Sequence, residues 1–121
     1  MRVAVSALEA DLESKVDARF GRAMYFVFVD TDTAAFEVVD NHENRNALQA
    51  AGTASAELVA DAGAQSVITG HLGPKAFRAL AAAGIPGFDG SGMTVQEAVE
   101  ALSKDALERL SDGVPERKTD G

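Results

Sequence analysis

MYFVFV, at residues 24–29, is an almost unbroken apolar run rich in aromatic and β-branched residues. Such a run predicts a strand that is covered on both faces of a sheet. The turn-forming run DTDT at 30–33 follows, and residues 36–41 then predict the second arm of a hairpin. Charged Glu37 and Asp40 in that second arm favour a place at the edge of the sheet.

On both sides of this hairpin, short buried strands alternate with amphipathic helices. Strands are predicted at residues 2–6, 66–69 and 85–88. Helices are predicted at about 47–62, with Gly63 as the C-cap, at 74–84, and from a capping box at 94–97 as far as Leu110. We therefore expect a mixed α/β domain at 1–111, followed at 112–121 by a polar tail that we expect to be disordered.

The connections between strands predict where a ligand would bind. The two helical crossovers require parallel strands, whereas the first three strands form an antiparallel meander. Four segments then meet at one end of the sheet: 7–23, 41–46, 70–75 and 89–93. In open α/β sheets, ligands bind in the crevice beyond the carboxyl ends of the strands.

Composition narrows the classes of function. The chain has 121 residues, 46% of them hydrophobic, and no cysteine, so disulfides, thiolate-bound zinc and thiolate-held iron–sulfur clusters are excluded. A formal net charge of −8 disfavours nucleic acid as a partner. No apolar run approaches the ~20 residues of a membrane span, so we expect a cytoplasmic protein with no membrane or nucleic-acid partner.

The loop at 7–23 contains SKVDARFGR at 14–22, in which two arginines flank a Phe-Gly pair. Five of the eleven basic residues lie in or beside the predicted crevice: Arg19, Arg22, Arg45, Lys75 and Arg78. This pattern indicates a loop that presents cations and backbone N–H groups to an anion. Because the loop lacks periodic apolar residues, we expect it to be mobile without a ligand, together with the tail.

Simpler explanations remain open for the same residues. Arg19 and Arg22 could pair with Asp17 or Glu13 and only order the loop, and Gly21 could serve a positive φ. His71 lies in the strand-to-helix turn at the crevice, where it could be a metal ligand or a hydrogen-bond donor. His42 lies in another crevice loop and is a second candidate ligand.

Several motifs together resemble one known family. They are VDARFGRA at 16–23, Asn41 after the hairpin, Gly52 in the first helix, and ITGHLGPKAF at 68–77. Over residues 1–103 the chain is similar to the dinitrogenase iron–molybdenum cofactor biosynthesis family. That family includes the nitrogenase accessory X and Y proteins, the C-terminal region of the cofactor B protein, and the orange protein of sulfate reducers.

The resemblance implies a three-layer α/β/α fold with a ribonuclease-H-like motif and a mixed five-stranded sheet of order 3-2-1-4-5. It also implies non-covalent binding of a molybdenum-containing metal–sulfur cluster, with iron or copper as the second metal. The cluster-binding residues it implies are Arg19, Phe20, Gly21, Arg22, Asn41, Gly70, His71, Leu72, Gly73 and Lys75. Some members carry cysteine or several histidines near this site, whereas this chain has only His42 and His71.

The leading hypothesis is therefore a carrier or scaffold for a metal–sulfur cluster, not an enzyme. An acceptor protein or a deviant-Walker ATPase is the partner that the resemblance implies. The alternative is a regulatory protein-interaction module whose crevice binds a partner or a small anionic metabolite. A nuclease is disfavoured, because the carboxylate cluster that such metal-dependent chemistry needs is absent from the predicted strand positions.

Overall fold

Five strands form the central sheet of the computed structural model, which describes residues 1–47, 50–111 and 114–115. They are β1 (Arg2–Ala7), β2 (Tyr25–Asp30), β3 (Phe36–Asp40), β4 (Ser66–Thr69) and β5 (Gly87–Asp89). Their order is β3-β2-β1-β4-β5. The β1–β2 and β2–β3 pairs are antiparallel, while β1–β4 and β4–β5 are parallel. The predicted sheet order and strand directions are confirmed.

Helices cover both faces of this sheet. They are α1 (His42–Arg45), α2 (Ala51–Asp61), α3 (Pro74–Ala82) and α4 (Val95–Ser103). One apolar cluster packs α2 and α3 against Phe26 and Phe28, and a second packs α4 against Val27 and Val29. Alternate residues of β2 thus contribute to two cores, which gives the predicted three layers. None of the helices in the described residues is long and apolar enough to cross a membrane.

The prediction that the first helix begins at residue 47 and ends at 62 is wrong at its start. The four-residue α1 precedes it, and α2 begins only at Ala51; residues 48–49 lie outside the described part of the chain. The predicted end is confirmed, because Gly63 has a φ of +85° and its N–H donates to the carbonyl of Ala60.

The last helix starts as predicted and ends earlier. Thr94 and Glu97 form the capping box. The helix stops at Ser103, and Asp105 has a φ of +57°. The prediction that it continues to Leu110 is wrong, because Leu110 is buried in the cluster on the opposite face of the sheet. The chain must therefore leave the face that α4 covers.

After this turn, β6 (Leu110–Ser111) pairs with β7 (Val114–Pro115). Apart from Val114–Pro115, the tail at 112–121 lies outside the described residues, so the expectation that it is disordered stays a prediction. The domain boundary at 111 and the ribonuclease-H-like classification stay predictions.

Candidate anion-binding site

A cavity of about 730 Å³ lies beyond the carboxyl ends of β1 and β4. It is open to solvent and is bordered by the loop after β1 and by the first turns of α2 and α3. Its lining comprises the following residues: Ala18, Arg19, Phe20, Gly21, Arg22, Ala51, Gly52, His71, Gly73, Pro74, Lys75, Ala76 and Arg78. Two of the four segments predicted to meet here, 41–46 and 89–93, contribute no lining residue.

The loop after β1, residues 8–24, which we call the anchored loop, is fixed to the core. Val16, Phe20 and Ala23 are buried, and the rings of Phe20 and Phe26 lie 5.2 Å apart. The Val16 N–H donates to the carbonyl of Met93 at 2.9 Å. The premise of the predicted mobility, a loop with little burial, is wrong. Its apolar anchors are present but have no helical or strand period, so periodicity could not reveal them.

Asp17 and Arg19 form a bidentate ion pair within this loop. The Arg19 Nε and Nη2 atoms each lie 3.0 Å from a different carboxylate oxygen of Asp17. Asp17 is 2% exposed, whereas the Arg19 side chain is 54% exposed. These hydrogen bonds, and then the charge of Asp17, raise the pKa of Arg19 above its ordinary value. The simpler explanation considered for Arg19, pairing with Asp17, is therefore confirmed, although Arg19 also lines the cavity.

Gly21 allows the loop to touch the start of α2. A Cβ at this position would lie 2.7 Å from the backbone nitrogen of Gly52 and 2.9 Å from its Cα. Gly21 is not among the positive-φ glycines of the described chain, which are Gly63, Gly84 and Gly92. Close approach of two backbones, not a positive φ, is therefore the reason for glycine here.

Asn41 stabilises the loop around Gly21 through buried hydrogen bonds. Its buried amide nitrogen donates to the carbonyls of Gly21 and Ala23, at 3.3 and 3.0 Å. The hydroxyl of Ser55 also donates to the carbonyl of Gly21, at 3.1 Å. Asn41 does not line the cavity, so the structure gives it a supporting role for the loop that does.

Two helix N-termini converge on the cavity. The first residues of α2, Ala51 and Gly52, and the first turn of α3 all line it. The helices touch here, because a Cβ on Gly52 would lie 3.2 Å from the Cβ of Ala76. The first N–H groups of a helix have no intrahelical partner, and each N-terminus carries a partial positive charge. The cavity therefore receives two sets of N–H donors suited to an anion.

The charged side chains of the lining are all basic. Arg19, Arg22, Lys75 and Arg78 line the cavity, and none of its lining residues in the described part of the chain is acidic. Arg45, the fifth predicted basic residue, lies next to Arg22: the Nη1 of Arg22 donates to the carbonyl of Arg45 at 2.6 Å. The electrostatic character of the cavity is thus opposite to the formal net charge of −8 of the whole chain.

The structure brings together most of the residues predicted to bind a ligand. Seven line the cavity: Arg19, Phe20, Gly21, Arg22, His71, Gly73 and Lys75. The other predicted residues lie elsewhere. Gly70 faces Ala18 and Ser91, Leu72 is buried in the core, and His42 is exposed on α1 beside Asn46.

Sequence reasoning missed the small residues of the lining, Ala18, Ala51 and Ala76. A small side chain in an aperiodic loop, as at Ala18, or at the start of a helix, as at Ala51 and Ala76, gives no pattern that reveals close packing around a ligand site. Among the described residues there is no group of three or more His, Cys, Asp or Glu side chains that could hold a metal ion. Of the two histidines, only His71 lines the cavity.

Comparisons with known proteins support the fold and show the family. The sequence profile of the dinitrogenase iron-molybdenum cofactor family matches residues 1–105. The apo form of the orange protein from Desulfovibrio gigas is 41% identical, with a TM-score of 0.88 and 96% of each chain covered. A NifB-like protein from Thermotoga is 34% identical, with a TM-score of 0.80, and the match covers 99% of this chain and 98% of that one.

A more distant relative, an uncharacterized protein from Methanocaldococcus jannaschii, is 26% identical over 100 residues, which are 80% of this chain and 84% of the relative. The profile match extends over the whole five-stranded sheet and every residue that lines the cavity. The chain therefore belongs to the dinitrogenase iron-molybdenum cofactor family.

Proposed function

We propose that this protein binds a molybdenum-containing metal–sulfur cluster, or a precursor of one, non-covalently in the cavity and carries or scaffolds it without catalysing a reaction. The observation that carries the proposal is the convergence of two helix N-termini and four basic side chains on a cavity that no acidic residue within 1–47 or 50–111 lines. Membership of the iron-molybdenum cofactor family supports the choice of ligand.

The chemistry of the lining suits a thiometallate. Such a cluster is a polyanion whose sulfides accept hydrogen bonds, and it is large and weakly hydrated. The N–H donors and basic side chains match its charge, while Ala18, Ala51 and Pro74 offer apolar surface to polarisable sulfur. Charge-assisted hydrogen bonds contribute about 1.5–3 kcal/mol each, so three or four retain a cluster yet permit its transfer to an acceptor protein.

The first test is direct. Protein isolated from its own organism should contain molybdenum, with iron or copper, and show a visible absorption band. Ligand-free recombinant protein should bind tetrathiomolybdate in a spectroscopic titration and bind molybdate and phosphate much more weakly. Protein that contains no metal from its own organism, and that also binds no thiomolybdate, would overturn the proposal.

Charge variants locate the site. Lys75→Gln and Arg78→Gln should each weaken thiomolybdate binding about tenfold, the loss of one charge-assisted hydrogen bond. Lys104→Gln is the matched control, because Lys104 follows α4 on the other face of the sheet. Equal effects of all three substitutions would indicate general attraction of the anion, not binding in the cavity. Arg19 is a poorer charge probe, because its removal also leaves the buried Asp17 without its partner.

The two histidines form a second matched pair. Both are exposed, but only His71 lines the cavity. If the His71 imidazole binds a metal of the cluster or donates to a sulfide, His71→Ala should shorten retention of the cluster and shift its absorption band. His42→Ala should leave both unchanged. Identical behaviour of the two variants would remove His71 from the site.

The alternative, a regulatory module that binds a small anionic metabolite, is favoured by one feature of the cavity. Helix N-termini and basic side chains also bind phosphate groups. Competition separates the two: under the proposed function, millimolar ATP or phosphate should fail to displace tetrathiomolybdate. Displacement at low concentration would favour the metabolite, and would make an ATPase or other partner protein the next candidate for the regulated target.

A further inference from the structure

Asp17 is a buried carboxylate that does not line the cavity, yet it holds a residue that does. We propose that Asp17 is the positioning residue of the anion site, which fixes the Arg19 guanidinium so that its remaining N–H groups face the cavity. This inference rests on the proposed function, because it assigns the positioned guanidinium to the bound anion.

The base of this arrangement is rigid. The N–H of Asp17 donates to the carbonyl of Ser6, in β1, at 2.8 Å. The carbonyl of Asp17 accepts from the hydroxyl of Ser6 at 2.6 Å and from that of Thr69, in β4, at 3.3 Å. Asp17 is thus fixed to two adjacent strands, and groups held by regular elements are held more tightly than groups held by loops.

The side chain of Asp17 transmits this rigidity to Arg19. A guanidinium has five N–H donors. Asp17 takes one at Nε and one at Nη2, which leaves the Nη1 pair and the second Nη2 hydrogen for another acceptor. The paired contact also fixes the plane of the guanidinium, and half of the Arg19 side chain remains exposed along the cavity wall.

Net charge and orientation make opposite predictions. Asp17 neutralises Arg19, so a purely Coulombic view expects Asp17→Asn to add one positive charge to the site and tighten anion binding. The positioning role expects weaker binding, because an amide cannot accept both guanidinium hydrogen bonds. Loss of one oriented, charge-assisted contact corresponds to a dissociation constant about tenfold higher.

The test is a double-mutant cycle on the full chain, with tetrathiomolybdate as the probe. Asp17→Asn and Arg19→Gln should each weaken binding about tenfold, and the double variant should be no weaker than either alone, because Asp17 acts only through Arg19. Asp11→Asn is the control: Asp11 lies in the same loop and is exposed, and its carboxylate accepts from the Glu13 N–H. It should not weaken binding.

A purely structural role of Asp17 is distinguished by the same cycle. The Asp17 carboxylate also accepts from the backbone N–H groups of Arg19, at 3.0 Å, and of Met24, at 3.3 Å, and these contacts do not involve the guanidinium. If those contacts were the important ones, Asp17→Asn would weaken binding equally in the Arg19→Gln background, and the inference would be wrong. If Asp17→Asn does not fold, Arg19→Lys is measured instead, because lysine keeps the positive charge but cannot make the bidentate contact with Asp17. A tenfold loss of thiomolybdate affinity in Arg19→Lys would support the positioning role, and an affinity equal to that of the parent would refute it.

Failure of the inference and failure of the proposed function give different results. If the parent binds no thiomolybdate and the protein from its own organism contains no metal, the proposed function fails and the inference fails with it. If the parent binds and Asp17→Asn binds as tightly or more tightly, only the inference fails. Loss of the distinct Arg19 Nε–H signal in the nitrogen NMR spectrum of Asp17→Asn would confirm that the guanidinium has been released.

Discussion

Two segments at the same end of the sheet differ in how they are held. The anchored loop, residues 8–24, buries Val16, Phe20 and Ala23 and pairs Asp17 with Arg19. The segment that starts at Asn41 and continues through α1 buries only Asn41, because α1 itself has no buried residue. The two segments are neither strand nor long helix, and neither has a periodic apolar pattern.

The two segments have different roles: the anchored loop lines the cavity, and the α1 segment supports that loop. The anchored loop supplies five lining residues of the cavity and is pre-organised by burial, so little conformational entropy is lost there when a ligand binds. The α1 segment supplies none, and its main contribution is the amide of Asn41 behind Gly21. The predictions below test whether the rigidity of the loop depends on these particular contacts.

The largest effect is expected for Asn41→Ala, which removes the buried side-chain hydrogen bonds between the two segments. The carbonyl of Ala23 would lose the Asn41 donor in a buried place, and that of Gly21 would keep only the Ser55 hydroxyl, which costs up to about 3 kcal/mol of the free energy of unfolding. Urea unfolding monitored by circular dichroism measures this change. Asn46→Ala, an exposed asparagine that follows α1, should change the free energy by less than about 0.5 kcal/mol. Equal stabilities of the two variants would contradict the supporting role of Asn41.

Gly21→Ala should have the next largest effect. The added Cβ would meet backbone atoms of Gly52 at 2.7 and 2.9 Å, so the loop must move away from α2. Overpacking of this kind destabilises by about 1–3 kcal/mol, and we expect thiomolybdate affinity to fall as well. Gly73→Ala is the matched control, because its Cβ would have no atom within 4 Å and its φ is −67°. If Gly21→Ala were the milder of the two in urea unfolding, the close approach would not matter.

The sheet could be predicted from sequence because its strands carry strong local signals. The apolar run at 24–29 and the short buried strands have the right lengths and flanking turns, and the crossovers follow from helices between them. The end of α4 could not be predicted, since Leu110 has helical spacing relative to Leu102. The helix ends earlier because Leu110 is buried on the opposite face of the sheet, a tertiary contact that helical spacing does not reveal.

The charged residues of the site could be predicted from the sequence, whereas the residues that hold them in place could not. Arg19, Arg22 and Lys75 were identified from a motif and from topology, and all three line the cavity. The role of Asn41 behind the loop depends on a contact 20 residues away along the chain, and no local pattern carries that information. Asp17 was considered only as a competing partner for Arg19, because sequence alone does not show which carboxylate will be buried.

Amide hydrogen exchange compares the two segments directly, without substitutions. The N–H groups of Val16 and Asp17 donate to Met93 and Ser6 in a buried setting, so they should exchange about tenfold slower or more than those of Glu43 and Arg45 in α1. Exchange followed by mass spectrometry or NMR on the ligand-free protein measures the ratio. Equally fast exchange would restore the expectation of a mobile loop.

The smallest effect concerns Asp30, a half-buried carboxylate that orders a turn at the opposite end of the sheet. Its carboxylate accepts from the N–H groups of Asp32 and Thr33, at 2.8 and 3.3 Å, and lies near the N-terminus and Arg2. The hydrogen bond from Asp32 is the main reason that the pKa of Asp30 lies below its ordinary value of 3.8. A depressed pKa stabilises the fold above pH 3.8, and this stabilisation is lost as the pH falls through the folded-state pKa. Asp30→Asn keeps the acceptor oxygen but loses the charge, so the variant should be slightly less stable than the parent at pH 7 and converge with it in acid. A stability difference that is the same at every pH would show that charge at this turn contributes nothing, and would leave burial as the feature that separates Asp17 from Asp30.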